Sequence, residues 1–368
     1  MNRFSRILVT GAIAFTVLTI FIIVAIATSS SIGLLRGVNT LPSGTAFVPR
    51  QAPAMISLLA NPEQFYSIRQ VSLPLSKRQS DRRDWQQWTR DNFNKLGLDY
   101  RQLKPWLGEL TFAVTALDYD RNLDNGVQPG YLLAAKIENP QLAKSLENRP
   151  QKDIVSVDRY KGANIIVYSP LKGSNIRSSA MVGDFVLFAN HPQIIREAIN
   201  QAQAVNLNLE HSDKYREAIA FITQPRIAIA YIDVPKTLAW SNKSGVVEAD
   251  ETNSDRTLSA FLSIAQKDLV AHTTLTNPAD SQAIFEVLRS LLDNSELERV
   301  FEYLFLQEDR PSYIDLTTKT SLSTQTPFYE VAKSAIKGLF PHLDAIAIKD
   351  EGSENNIART KILFKLDT

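Results

Sequence analysis

Apolar and polar residues follow two regimes along this chain. Ile7 to Ala27 is an uncharged run of 21 residues, interrupted only by Thr10, Gly11, Thr16 and Thr19. As a helix it extends about 31 Å at ~1.5 Å per residue, which matches a bilayer core. Beyond Ser29 the pattern changes to short strand-like runs separated by turn residues and helix-compatible segments. Hairpin patterns set Leu110–Asp118 against Tyr131–Ile137, and Ile154–Tyr160 against Asn164–Tyr168 across Lys161-Gly162. They also set Ser179–Met181 against Phe185–Phe188 across Gly183-Asp184, Ser259–Ala265 against Leu269–Leu275, and Ala345–Lys349 against Ile357–Leu366. Such a series predicts an α+β fold, antiparallel sheets with helices packed on one face, plus one N-terminal transmembrane helix.

One junction recurs: an apolar run ends in Asn or Asp, a proline follows within two residues, and a helix-compatible segment comes next. It occurs at Asn61-Pro62, Asn139-Pro140, Asn190-His191-Pro192, Asp233-Val234-Pro235 and Asn277-Pro278. Asn or Asp caps orphan N–H groups of a first turn, and proline is tolerated there because its missing donor had no partner to lose. The junctions lie 78, 51, 43 and 44 residues apart, too irregular for a solenoid. They point to two related α+β units, with the alternative that Asn-Pro is simply a good helix start used repeatedly. The organisation expected is a cytoplasmic tip at 1–6, an anchor at 7–28, a linker at 29–50 and a first α+β unit at 51–240. A polar loop or linker at 241–257 and a second α+β unit at 258–368 complete it.

Arg3 and Arg6 precede the apolar run and no acid does, so the positive-inside tendency leaves the N-terminus in the cytoplasm and exports the rest. The competing reading is a cleaved signal peptide, for which Ala25-Ile26-Ala27 supplies a small-x-small site, although the run exceeds the usual ~7–15-residue signal core. Charge then changes the picture. The chain has 40 Lys+Arg against 39 Asp+Glu, and without its first 30 residues the body carries 38 against 39. A near-neutral body argues against a general nucleic-acid binder. The absence of cysteine excludes disulfides, thiolate metal sites, iron–sulfur clusters and cysteine nucleophiles.

Candidate chemistry is sparse. Asp118, Asp120 and Asp124 alternate in one polar loop and form a weak oxygen-ligand set for calcium. The loop fails the EF-hand pattern, with Leu123 and Pro129 where Gly and Glu belong, and Arg121 opposes a cation. His191, His211, His272 and His342 show no zinc-ligand spacing. Ser169-Pro-Leu-Lys172 and Ser334-Ala-Ile-Lys337 match S-x-x-K but lack the partner motifs S-D-N and K-T-G. No cofactor is expected. The better binding candidates are Trp85 and Trp88, near one face of a helix at Asp81–Lys95, and Trp106 after Pro105. The basic cluster Lys77, Arg78, Arg82 and Arg83 suits an acidic partner or anionic lipid head groups. Against these stand plain alternatives, a helix face packed on the sheet and a solvated helix entrance.

The segments Leu98-Asp99-Tyr100, Lys104-Pro105-Trp106-Leu107-Gly108-Glu109, Gln128-Pro129-Gly130-Tyr131 and Met181-Val182-Gly183-Asp184-Phe185 through Pro192-Gln193 occur together. In this combination the chain resembles the membrane-anchored cyanobacterial proteins of domain of unknown function 3352. The resemblance implies a thylakoid or plasma-membrane setting with the body in lumen or periplasm, and implies no catalytic residues. The expected role is a membrane-anchored, extracytoplasmic protein-binding module that assists assembly or maintenance of a membrane complex. A lipid- or pigment-binding module and a hydrolase whose site assembles only in the fold are the alternatives.

Overall fold

The computed structural model describes residues 39–59, 75–95, 98–116, 118–120, 128–143, 154–169, 176–241, 256–265, 268–277, 312–315, 343–354 and 356–366. The apolar run Ile7–Ala27 lies outside them. No helix among the described residues is long and apolar enough to cross a membrane.

Two compact units divide the chain. One comprises Thr40–Tyr66 with Leu75–Glu217, and the other joins Ala218–Thr368 to segments ending at Asn39 and Pro74. The first unit contains β1 (Ala54–Leu58), β2 (Leu107–Ala116), β3 (Gly130–Ile137), β4 (Ile154–Tyr160), β5 (Ala163–Tyr168), β6 (Ser178–Val182) and β7 (Phe185–Ala189). Its strand order is β1-β2-β3-β7-β6-β5-β4, with antiparallel pairing between neighbours. The second unit contains β8 (Ala228–Asp233), β9 (Thr257–Ala265), β10 (Asp268–Thr276), β11 (Ser312–Asp315), β12 (Leu343–Glu354) and β13 (Ile357–Leu366), ordered β8-β9-β10-β13-β12-β11. The predicted hairpins are all present in these pairings.

Among the described strands the two orders follow one scheme, with three strands between third and last in the first unit and two in the second. In each unit the first strand leads through helix into an antiparallel second strand, a hairpin makes the third, and the unit's last strand pairs with the third. Two of the proline junctions fall at equivalent places in this scheme, Asn139 and Asn277 just beyond the third strands, and Asp233 closes the first strand of the second unit. Their uneven spacing reflects unequal segments between equivalent strands rather than a different architecture. The division between units falls at Glu217/Ala218, ahead of the polar stretch at 241–257.

The helices of the first unit are α1 (Leu75–Lys95), α2 (Tyr100–Leu103), α3 (Pro140–Ala143) and α4 (Pro192–Gln203). α5 (Asp213–Ile219) spans the division, and α6 (Val234–Ser241) follows β8. α4 buries Ile194, Ile195, Ala198 and Ile199, one apolar stripe, against Leu132, Ala134, Ile165 and Leu187 on one sheet face. A 3-10 turn, Ser43–Phe47, enters the same core through Phe47, whose ring meets Phe185 edge-on at 4.9 Å. The folded unit therefore starts before residue 51, and the stretch at 40–50 is packed rather than a linker. Its lack of periodicity reflects a short 3-10 turn, which repeats too briefly to leave a pattern.

The junction chemistry is more varied than the sequence implies. Asn139 Oδ1 accepts from Leu142 N–H at 3.3 Å, and Asp233 Oδ1 from Lys236 N–H at 3.2 Å, as helix caps do. At the third junction His191 is the cap, its Nδ1 accepting from Gln193 N–H at 3.2 Å. Asn190 instead ties the β3 entrance, accepting from Tyr131 N–H and donating to Pro129 O, both at 2.8 Å. Asn277 has φ +50°, left-handed rather than extended, and pairs with Asn356. Asn61 and Pro62 lie outside the described residues.

Candidate functional site

Trp85 and Trp106 do not form a surface. They are 3% and 1% exposed, so both act as packing residues in this fold. α1 begins at Leu75, six residues before the predicted start, and presents a narrow inward stripe of Asp81, Trp85 and Thr89 with Arg78 and Phe93 half-buried beside it. Thr89 Oγ1 donates to Trp85 O at 2.9 Å, and Phe93 meets Tyr100 of α2 at 4.7 Å. The basic cluster thus lies on the first turns of α1. Lys77, Arg82, Arg83 and Arg90 are exposed, and so is Asp84. Asp81, which the sequence sets against these charges, is turned inward at 5% exposure. The side chain of Trp88 lies outside what is described.

The acidic loop is only partly described, and Asp124 lies outside it. Asp118 Oδ1 accepts from Gln128 N–H at 3.3 Å, and Tyr119 OH donates to Gln128 Oε1 at 3.0 Å. These bonds close the loop on itself. The Tyr119 ring stacks on His191 at 4.5 Å. Burial raises the Tyr119 hydroxyl above its ordinary pKa, with Asp120 and Asp118 adding to the rise. Burial lowers the His191 ring, opposed by Asp120 and Glu197 and helped by Arg196. Among the described residues no three acidic or histidine side chains gather as a metal site. Lys172, Ser334, Lys337 and His342 lie outside the described residues.

A constellation the sequence did not disclose sits where the 3-10 turn crosses β2 and β3. Glu109 projects from β2 and accepts from Ser43 OH at 2.7 Å, from Gly44 N–H at 2.9 Å and from Thr111 OH at 3.4 Å. Lys136 Nζ, from β3, donates to Ser43 Oγ at 3.1 Å, and Ser57 of β1 shares a 2.7 Å hydroxyl pair with Thr111. Alternation along the strands explains the grouping, because Glu109 and Thr111 share a face of β2 and Ala134 and Lys136 share it on β3. Gly44 approaches so closely that a Cβ there would stand 2.3 Å from Thr111 Oγ1. A serine beside a carboxylate and a lysine has the parts of a nucleophile. Here the serine proton is given to Glu109, and the next N–H, which an oxyanion would need, is given to the same carboxylate. The group works as a clip that holds the chain entrance onto the sheet. Arg50 with Asp213 at 2.8 Å, and Leu209 N–H to Val48 O at 2.8 Å, extend the attachment.

The second unit buries a hydroxyl ladder on one sheet face. Thr257 pairs with Thr276 at 2.8 Å, Ser259 pairs with Thr274, and Ser259 also donates to Ala218 O at 2.7 Å. Further along the face the His272 ring lies parallel on Phe261 at 4.6 Å. Burial lowers the His272 pKa, opposed by Glu351 and helped by Lys361. In the first unit, burial pushes the Tyr131 hydroxyl up to about 12. Every ladder hydroxyl has a protein partner, which suits cohesion between strands rather than turnover.

No curated protein matches the chain. Among solved structures, crystal form IV of TP0453 is 9% identical, with TM-score 0.36 and coverage of 63% of this chain and 80% of that one. Crystal form I of the same protein gives 10% identity, TM-score 0.33 and coverage of 70% and 87%, a distant likeness only. A family match covers residues 8–288, taking in the whole first unit and the junctions through Asn277. The chain therefore belongs to the family described as protein of unknown function (DUF3352).

Proposed function

We propose that this is a single-pass membrane protein whose exported body binds a protein partner and assists assembly or maintenance of a membrane complex. The observation that carries the reading is the uncharged run Ile7–Ala27 behind Arg3 and Arg6, of spanning length and with the charge bias of a cytoplasmic N-terminus. Two features of the body support it. The clip around Glu109 binds the stretch that follows the linker, so a tether arriving there meets a rigid attachment. The exposed face of α1 offers Lys77, Arg82 and Arg83, with Asp81 withdrawn, to an acidic surface.

Two experiments test the reading. Protease added to sealed, correctly oriented vesicles should spare the body and digest it only after detergent. Affinity purification from native membranes in mild detergent should recover one stoichiometric membrane partner, lost on Arg82→Glu with Arg83→Glu. Digestion in intact vesicles overturns the topology. Recovery of the chain alone overturns the binding role.

A further inference from the structure

β4 ends the strand order of the first unit, so one of its sides has no partner strand among the described residues. The hairpin with β5 determines which backbone groups that side presents. Lys161 and Gly162 both have positive φ, 46° and 86°, as a two-residue type I′ turn requires. The residues flanking such a turn, Tyr160 and Ala163, exchange both ladder hydrogen bonds, and the pattern then alternates along the strands. Asp158 therefore turns its N–H and C=O toward β5, while Val157 and Arg159 turn theirs outward.

The side chains on this edge are unusual for an open strand. Val155 and Val157 are 63% and 58% exposed, and Met181 of β6 is 37% exposed. Ile166, half-buried, lies directly across the hairpin from Val157, which makes the apolar strip continuous. Natural sheets blunt such edges because they recruit other chains. The charges here select instead. Arg159 and Lys161 are exposed, whereas Asp158 is held in an ion pair by Arg196 of α4.

We infer that β4 accepts an extended acidic-and-apolar segment of a partner protein as an added antiparallel strand, with a carboxylate opposite Arg159 and an apolar residue opposite Val157. This deepens the protein-binding reading above and rests on it. Arg159 and Val157 share a face, so the partner segment reads, from N to C, acid, any residue, apolar. Backbone pairing supplies the affinity and those two positions supply the choice of partner.

The probe is a labelled peptide, acetyl-Thr-Glu-Thr-Val-Thr-Val-amide, titrated with the full chain in detergent and followed by fluorescence anisotropy. Saturable binding is expected, weakened about tenfold when the peptide's Glu becomes Lys. Val157→Pro removes an outward N–H and no ladder bond, so it should abolish binding while the circular dichroism spectrum is kept. Val157→Lys is the second variant and should weaken binding severalfold, because an ammonium replaces the apolar partner of the peptide's Val. Methylating the peptide nitrogens of one edge should abolish binding, and methylating the other edge should leave it. Absence of binding, or binding indifferent to both variants, overturns the inference. A dimer of the full chain that Val157→Pro dissociates also overturns it, in favour of self-pairing. Retention of the native membrane partner by Val157→Lys would refute this edge alone, whereas the wild-type chain recovering no partner would refute the reading beneath it.

Discussion

Gly44→Ala perturbs the clip without removing any of its polar groups. The added Cβ stands 2.3 Å from Thr111 Oγ1 and 2.5 Å from Thr111 Cβ, distances that real contacts do not reach. Thr111 is buried and bonded to Ser57 at 2.7 Å, so the 3-10 turn must lift instead. Lifting it stretches the bonds from Gly44 N–H and Ser43 OH to Glu109, 2.9 and 2.7 Å long. Overpacking costs about 1–3 kcal/mol. Losing one hydrogen bond to a charged acceptor adds about 1.5–3 kcal/mol. A total near 4 kcal/mol is a large share of the ~5–15 kcal/mol by which a domain is stable. At ~2–4 °C per kcal/mol for a unit of this size, the melting temperature should fall by about 8–16 °C. Gly162→Ala is the control, since its φ is +86° with nothing within 4 Å of an added Cβ. There only the left-handed conformation is penalised, by about 1–2 kcal/mol. Thr111→Ala should not rescue Gly44→Ala, because it keeps the Cβ that makes the 2.5 Å contact. Thermal unfolding followed by circular dichroism decides the matter. A Gly44→Ala protein melting above the Gly162→Ala protein would refute the close-approach argument.

Other expectations follow from buried groups and from the exposed helix face. His191 and His272 have ring pKa values lowered by burial, so each holds a proton less readily folded than unfolded. Stability should be full above pH ~6.5 and decline as pH falls through the folded values. His191→Asn keeps a capping acceptor and should flatten part of that decline in urea titrations at several pH values; an unchanged slope contradicts the assignment. Asp233→Ala removes the α6 cap and the 2.9 Å ion pair with Lys236, and should cost ~1–3 kcal/mol, whereas Asp233→Asn keeps the cap and should cost less. Equal losses in denaturant titrations would count against a capping role. Arg82→Glu with Arg83→Glu touches exposed side chains and should shift stability by no more than ~0.5 kcal/mol while weakening partner recovery. Trp106→Ala should cost ~3–5 kcal/mol, since its side chain is 1% exposed.

The local features were legible and the distant ones were not. Lys161-Gly162 and Gly183-Asp184 announce two-residue hairpins because few residues accept positive φ, and both hairpins stand where those pairs lie. The proline junctions were visible too, although their equivalence became clear only through strand order, because the pairing of β3 with β7 and of β10 with β13 skips long stretches of chain. The Asn190 and His191 roles exchange because His191 directly precedes the first turn, while Asn190 faces the β3 entrance. The Glu109 clip was illegible in principle: its members lie 65, 66 and 93 positions apart, and nothing in the local pattern of Ser43, Glu109 or Lys136 refers to the others. Trp85 and Trp106 are buried for the opposite reason, one rooted in local pattern. Helical spacing at Trp85 marks an inward face, and an inward face serves packing as readily as docking.

Strand order also governs the schedule of folding. β3 is complete at Ile137, yet the strand that covers its free edge, β7, begins only at Phe185. As the chain emerges from its N-terminus, a three-stranded sheet must wait with that edge open while β4, β5 and β6 are made. Those three strands and β7 form a continuous meander of neighbours, able to close on itself before it docks. The second unit repeats the delay, from Thr276 of β10 to Ile357 of β13. The vulnerable species is thus a half-made sheet presenting β3 or β10, and the interval of exposure is set by the stretch between third and last strand. Lengthening that stretch should slow folding and promote association of nascent chains without altering the finished protein.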